Sequence, residues 1–241
     1  MIPMRQMPKL GILSSALIFT CAAILLYLSS HYLIPFLASV TGQEMILFWF
    51  IVAGLIVFTP LILLAFVMLR NEGRQITDID TWRVRMRFRK LTRRDLIWSF
   101  SGLVIVGLFS ALILEGITLI WGEFDHSPVF MSFEPLTTGR YWLLLVWLPY
   151  WVLNIMGEEI IWRGVILPRQ ELSFGRYAWL IHGLGWSIFH FAFGWQLMLS
   201  LLPLMFLQSY IVQKTGNSWV GVLMHGGLNG PAFIAIALGL I

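Results

Sequence analysis

Seven apolar runs, at about 10–34, 45–69, 96–121, 141–167, 177–195, 196–213 and 217–241, divide the chain, with polar residues gathered between them. A helix crossing a bilayer needs about 20 mostly apolar residues. The pattern therefore predicts an all-α, polytopic membrane bundle of about seven transmembrane helices. The fifth and sixth runs join tightly, and Gly194 and Pro203 leave a re-entrant or broken segment as the alternative there. The first run, Leu10 to about Leu33, exceeds the roughly 7–15-residue core of a signal peptide and is expected to be retained.

The basic residues fall between the runs on alternate sides. Arg5 and Lys9 precede the first, nine Lys/Arg lie in 70–94, Arg169 and Arg176 follow the fourth, and Lys214 follows the sixth. The other side holds Arg140 with Glu123, Asp125 and Glu134. The excess of Lys and Arg on cytoplasmic loops then predicts a cytoplasmic N-terminus and an odd number of crossings. Within 70–94, Trp82, Val84, Met86 and Phe88 alternate with arginines. That period of two predicts a loop resting on anionic headgroups, with a substrate-recruiting surface as the sharper alternative.

Composition narrows the class. The 241 residues are 59% hydrophobic and 12% charged, against about 25% charged in soluble domains. Such a surface cannot face water everywhere, and the expected place is a multi-pass position in a bacterial cytoplasmic membrane. The pI near 9.5 does not point to nucleic acid, because the basic residues follow the membrane pattern. Membrane lipids are the expected partners. A single cysteine, Cys21, excludes a disulfide framework.

Ionisable residues deep in apolar runs are costly and usually functional, and here they concentrate in the second half. Glu158, Glu159 and Arg163 lie in the fourth run, His182 and His190 in the fifth, and His225 with Asn229 in the seventh. Residues four apart share a helix face, so Glu159 is expected to pair with Arg163, while Glu158 points about 100° away without that partner. His225 and Asn229 share a face lined by Gly221, Gly226, Gly227 and Gly230. A rise of 1.5 Å per residue puts Glu158, His190 and His225 at comparable depth and His182 nearer the cytoplasmic edge, as an interfacial or supporting group. A carboxylate and an imidazole sharing a water can generate a nucleophile, and a second imidazole with a carboxamide can hold an oxyanion. Glu158, His190 and His225 are also a possible zinc set, although no HExxH is present, so the cofactor is either absent or zinc.

The motifs Glu158-Glu159-x-x-x-Arg163 (EExxxR), Trp186-x-x-x-His190 (FxxxH with Trp first) and His225-x-x-x-Asn229 (HxxxN), in that order and each inside an apolar run, resemble those of the CAAX-protease and bacteriocin-processing (CPBP) intramembrane proteases. The type II CAAX prenyl endopeptidases are the best-known branch. The resemblance covers roughly 140–232 and divides the chain into helices one to three with the basic loop 70–94 (residues 1–139) and a protease-like core (140–241). It implies an endopeptidase of a peptide or membrane-protein substrate, glutamate-type or metal-dependent, in which Glu158 and His190 activate water, His225 and Asn229 form the oxyanion site, and Glu159 and Arg163 support them. A non-proteolytic binding or immunity protein and an ion or proton pathway are the alternatives.

Overall fold

The computed structural model describes residues 6–122 and 128–240; the sequence features at Arg5, Glu123 and Asp125 lie outside them. The described chain is an all-α membrane bundle. Helix α1 spans Ile12–Thr41, α2 Met45–Asn71 and α3 Arg93–Trp121. Helix α4 runs through 143–174, α5 is Ala178–Phe189 with a tighter last turn at His190–Phe193, α6 is Trp195–Thr215 and α7 is Ser218–Ala237. By length and apolarity alone six stretches can cross a membrane, because 143–193 forms one 51-residue run. That run folds back on itself at Gly175, whose φ of 55° is a conformation that glycine adopts without steric penalty.

Antiparallel contacts define the α4–α5 hairpin. His182 Nδ1 lies 2.8 Å from Gln170 Oε1, the Trp162 and Phe189 rings are 5.5 Å apart, and Trp186 reaches Glu158. Helix α1 lies along the hairpin: Gln170 Nε2 donates to Ser15 Oγ (3.1 Å), and Phe19 stacks on Trp162 at 4.4 Å. A Cβ on Gly185 would fall 2.2 Å from the Phe19 ring, so this crossing requires glycine. The fifth and sixth predicted runs are two helices that meet at Gly194 (φ 85°), and Pro203 sits inside α6 without ending it. Outward faces carry lipid-compatible side chains such as Leu13, Leu112, Leu119 and Leu145.

The segments bearing the basic residues converge at one end. Leu10 N–H donates to Arg169 O (3.2 Å), Arg87 pairs with Glu171 (2.6 Å), and Ser218 N–H donates to Arg87 O (3.0 Å). At the opposite end Leu136 N–H donates to Ala237 O (2.8 Å), and Arg140 pairs with Glu44. The segment 70–94 is more than a loop on headgroups. Its period-two reading fails at Thr81–Arg85, a helical turn with i→i+5 spacing. Met86 and Phe88 are buried in the bundle while Val84 is exposed. The reason is ionic: the buried Glu72 carboxylate accepts from Arg85 Nε (2.6 Å) and Nη2 (2.7 Å) and from Arg169 Nη2 (2.6 Å), tying the segment to α4. Burial alone raises the Glu72 carboxyl, but the two guanidiniums prevail and hold it below the usual carboxylate range. Helix α3 then starts with a capping box, Thr92 and Asp95 each accepting from the other's backbone N–H (3.2 and 2.9 Å).

Candidate active site

Glu158 and Glu159 straddle a change in winding. Helix α4 is α-helical to Glu158 and takes wider i→i+5 turns over Glu159–Ile166; such π segments recur at functional sites. The two carboxylates diverge as their sequence positions require. Glu158 turns to α5, where Trp186 Nε1–H donates to its Oε2 at 2.5 Å. Glu159 turns to α6 and α7, where its Oε1 accepts from Gln208 Nε2 (2.9 Å) and His225 Nδ1 (3.1 Å). Arg163 Nη1 is 3.2 Å from the same oxygen. All are buried: Glu158 is 2% exposed, Glu159 and Arg163 0%, His190 7% and His225 4%.

Trp186 is the hub. Its indole lies 5.3 Å from the His190 ring and 5.5 Å from the His225 ring, centroid to centroid. The Arg163 guanidinium carbon sits 3.5 Å above the indole, a cation–π contact that offsets burial of a charge whose N–H groups make no hydrogen bond among the described residues. One aromatic side chain thus touches the acid, both imidazoles and the cation. In the FxxxH motif that this stretch resembles, Trp186 stands where Phe is expected. Its N–H, which Phe lacks, is the feature that binds Glu158.

The histidine partners fix the tautomers. A carbonyl oxygen only accepts, so His190 donates Nδ1–H to Trp186 O (2.9 Å) and leaves Nε2 with a lone pair. His225 likewise gives Nδ1–H to the Glu159 carboxylate. Asn229, one turn beyond His225 on α7, is half-buried and makes no side-chain hydrogen bond among the described residues. His182 is not at the edge of the bundle. It is fully buried beside Phe19 and Gln170, where it joins α1, α4 and α5.

Several neighbours escaped sequence reading. Gln208, the one Gln in the middle of α6, is detectable in principle as a polar residue in an apolar run. Tyr150 and Asn154 precede Glu158 at four-residue spacing on α4; Asn154 Nδ2 donates to Tyr150 Oη at 3.4 Å, and its buried Oδ1 has no partner among the described residues. Gly221 makes the Glu159 site possible, since a Cβ there would lie 2.1 Å from Glu159 Oε2.

The zinc alternative requires Glu158, His190 and His225 to converge on one point. Among the described residues no three His, Cys, Asp or Glu side chains gather at metal-binding distance. Glu159, not Glu158, lies against His225, so the set as arranged does not fit a zinc ion.

No curated protein and no solved structure matches this chain. Residues 140–230, which hold the cluster just described, match the family model "Type II CAAX prenyl endopeptidase Rce1-like". That stretch of the chain, α4 to most of α7, is therefore similar to the Rce1-like type II CAAX prenyl endopeptidases.

Proposed function

We propose that this protein hydrolyses a peptide bond of a membrane-associated peptide or protein, with water activated by Glu158 and His190. The observation that carries the reading is the Trp186 hub, which gathers a carboxylate and two imidazoles of fixed tautomer inside an apolar bundle. Glu158 gives Oε2 to Trp186 and keeps Oε1 without a hydrogen-bond partner among the described residues. A water placed there donates one hydrogen to Glu158 Oε1 and the other to His190 Nε2. Its oxygen attacks the scissile carbonyl carbon as Glu158 takes a proton. The tetrahedral oxyanion accepts from Asn229 Nδ2–H and from His225. Because His225 already gives Nδ1–H to Glu159, it donates from Nε2 when it enters the cycle as imidazolium, with a proton taken from solvent beforehand and kept throughout, and the Glu159 carboxylate stabilises that charge. The C–N bond then breaks, and the leaving amine receives the proton held by Glu158.

Glu159, Arg163 and Gln208 are positioning residues in this scheme. A lipidated C-terminal peptide, a leader peptide or a regulatory membrane protein all suit such a site, and a bacterial cytoplasmic membrane is the proposed location. The burial of Glu158 favours one competing role, a binding protein that cleaves nothing. Peptide profiling by mass spectrometry in proteoliposomes separates the two. Cleavage by the wild type that disappears in Glu158→Gln, while that variant stays folded, supports the protease; undiminished biological activity in Glu158→Gln supports binding.

A further inference from the structure

A cleft lies at the basic end, and neither Glu158 nor Glu159 lines it. It encloses about 650 Å³ and is lined by the rings of Trp82, Phe88 and Trp219 and by Arg83, Arg89 and Lys90. The segment sorts its cations. Arg85 and Arg87 turn to Glu72 and Glu171, whereas Arg83 and Lys90 are exposed and pair with no carboxylate among the described residues. Arg89 is committed to the carbonyls of Thr215 and Gly216 at the end of α6. Among the described residues no acidic side chain lines the cleft.

The cleft walls are held from both sides. Arg87 adopts φ 63°, an uncommon left-handed conformation for a non-glycine residue. The α6–α7 turn clamps the chain around it: Ser218 Oγ donates to Met86 O (2.6 Å), and Asn217 Nδ2 donates to Arg89 O (3.3 Å). Trp82 is fixed by Nε1–H donating to Ile76 O at 2.7 Å, and Phe88 meets Trp219 edge-on at 5.2 Å. Ile79, on the cleft wall, and nearby Val84 are 55% and 66% exposed. Apolar rim, indole walls and unpaired cations at the basic end match the order of groups in a phospholipid from acyl chain to phosphate.

We propose that this cleft binds the phosphate of an anionic phospholipid, held by Arg83 and Lys90 between the tryptophan walls. The inference does not depend on proteolysis. It is tested on the purified full chain in neutral detergent, by following the thermal unfolding midpoint against added phosphatidylglycerol, phosphatidylcholine or inorganic phosphate. Phosphatidylglycerol is expected to raise the midpoint selectively, and Arg83→Ala with Lys90→Ala to weaken its apparent affinity roughly thirtyfold. Arg93→Ala with Arg94→Ala removes the same charge outside the cleft and is expected to leave that affinity within about threefold. Both target side chains are exposed; should the alanine pair not be recovered, Arg83→Gln with Lys90→Gln gives the same readout. An equal response to phosphatidylcholine, an equal response to inorganic phosphate, or equal weakening by the two variant pairs each overturns the proposal.

Discussion

Gly221→Ala adds one methyl group at a crowded point of the bundle. The new Cβ falls 2.1 Å from Glu159 Oε2 and 3.1 Å from its Cδ, with Val212 Cγ2 at 3.3 Å closing the far side. A carboxylate at the end of a free side chain would swing away cheaply. This one is held at Oε1 by Gln208 and His225 and paired with Arg163, so relief breaks those contacts or shifts α7. Overpacking a tight interior costs about 1–3 kcal/mol. Hydrogen bonds between membrane helices add about 0.6–1.7 kcal/mol each, because the unfolded chain in the membrane also finds partners. Together these give a loss of about 2–4 kcal/mol, read as an earlier midpoint in a reversible SDS titration. Gly107→Ala is the matched control: it lies in α3 with nothing within 4 Å of its added Cβ. Helix propensity alone should make it neutral or stabilising by up to about 1 kcal/mol. A Gly221→Ala protein as stable as the Gly107→Ala protein would refute the locked carboxylate.

Three further outcomes are expected. Glu72→Gln leaves the buried Arg85 and Arg169 without their shared counter-ion and should cost about 3–5 kcal/mol in the same titration; a change under about 1 kcal/mol contradicts the ionic tie between 70–94 and α4. The same group sets a pH dependence. Its folded value is depressed below the ordinary 4.5, so its contribution is present above that pH and declines as pH falls through the lower folded value. Glu72→Gln should flatten this acid limb, and an unchanged limb assigns it elsewhere. Trp186→Phe keeps an aromatic ring under Arg163 but removes the N–H on Glu158; peptide cleavage should fall about tenfold for one charge-assisted hydrogen bond, and an unchanged rate would separate Trp186 from the chemistry.

Bundle class and the grouping of basic segments at one end were legible because both follow from hydropathy and charge, which are one-dimensional signals. The divergence of Glu158 and Glu159 was legible for the same reason, since adjacent helical positions cannot share a face. Pairings across helices were not. His225 was grouped with Glu158 by depth, yet Gly221 opens the α7 face toward Glu159, and nothing in the spacing says which carboxylate enters that gap. The interfacial alternative for His182 failed because distance along α5 measures depth from one end but not lateral burial; Phe19 of α1 covers it. Segment 70–94 misled through its alternation, which a buried ion pair overrides by drawing Arg85 inward and leaving Val84 outside.

The shared-water proposal is tested most directly by a kinetic double-mutant cycle on peptide cleavage in proteoliposomes, with Glu158→Gln, His190→Ala and the double variant. Loss of either partner of one proton-transfer unit should slow turnover by about 10²–10⁴-fold. The double variant should then be no slower than the worse single one, because residues that act as a unit are not additive. Losses that multiply across the double variant, or near wild-type turnover in either single variant, would show that Glu158 and His190 do not activate one water.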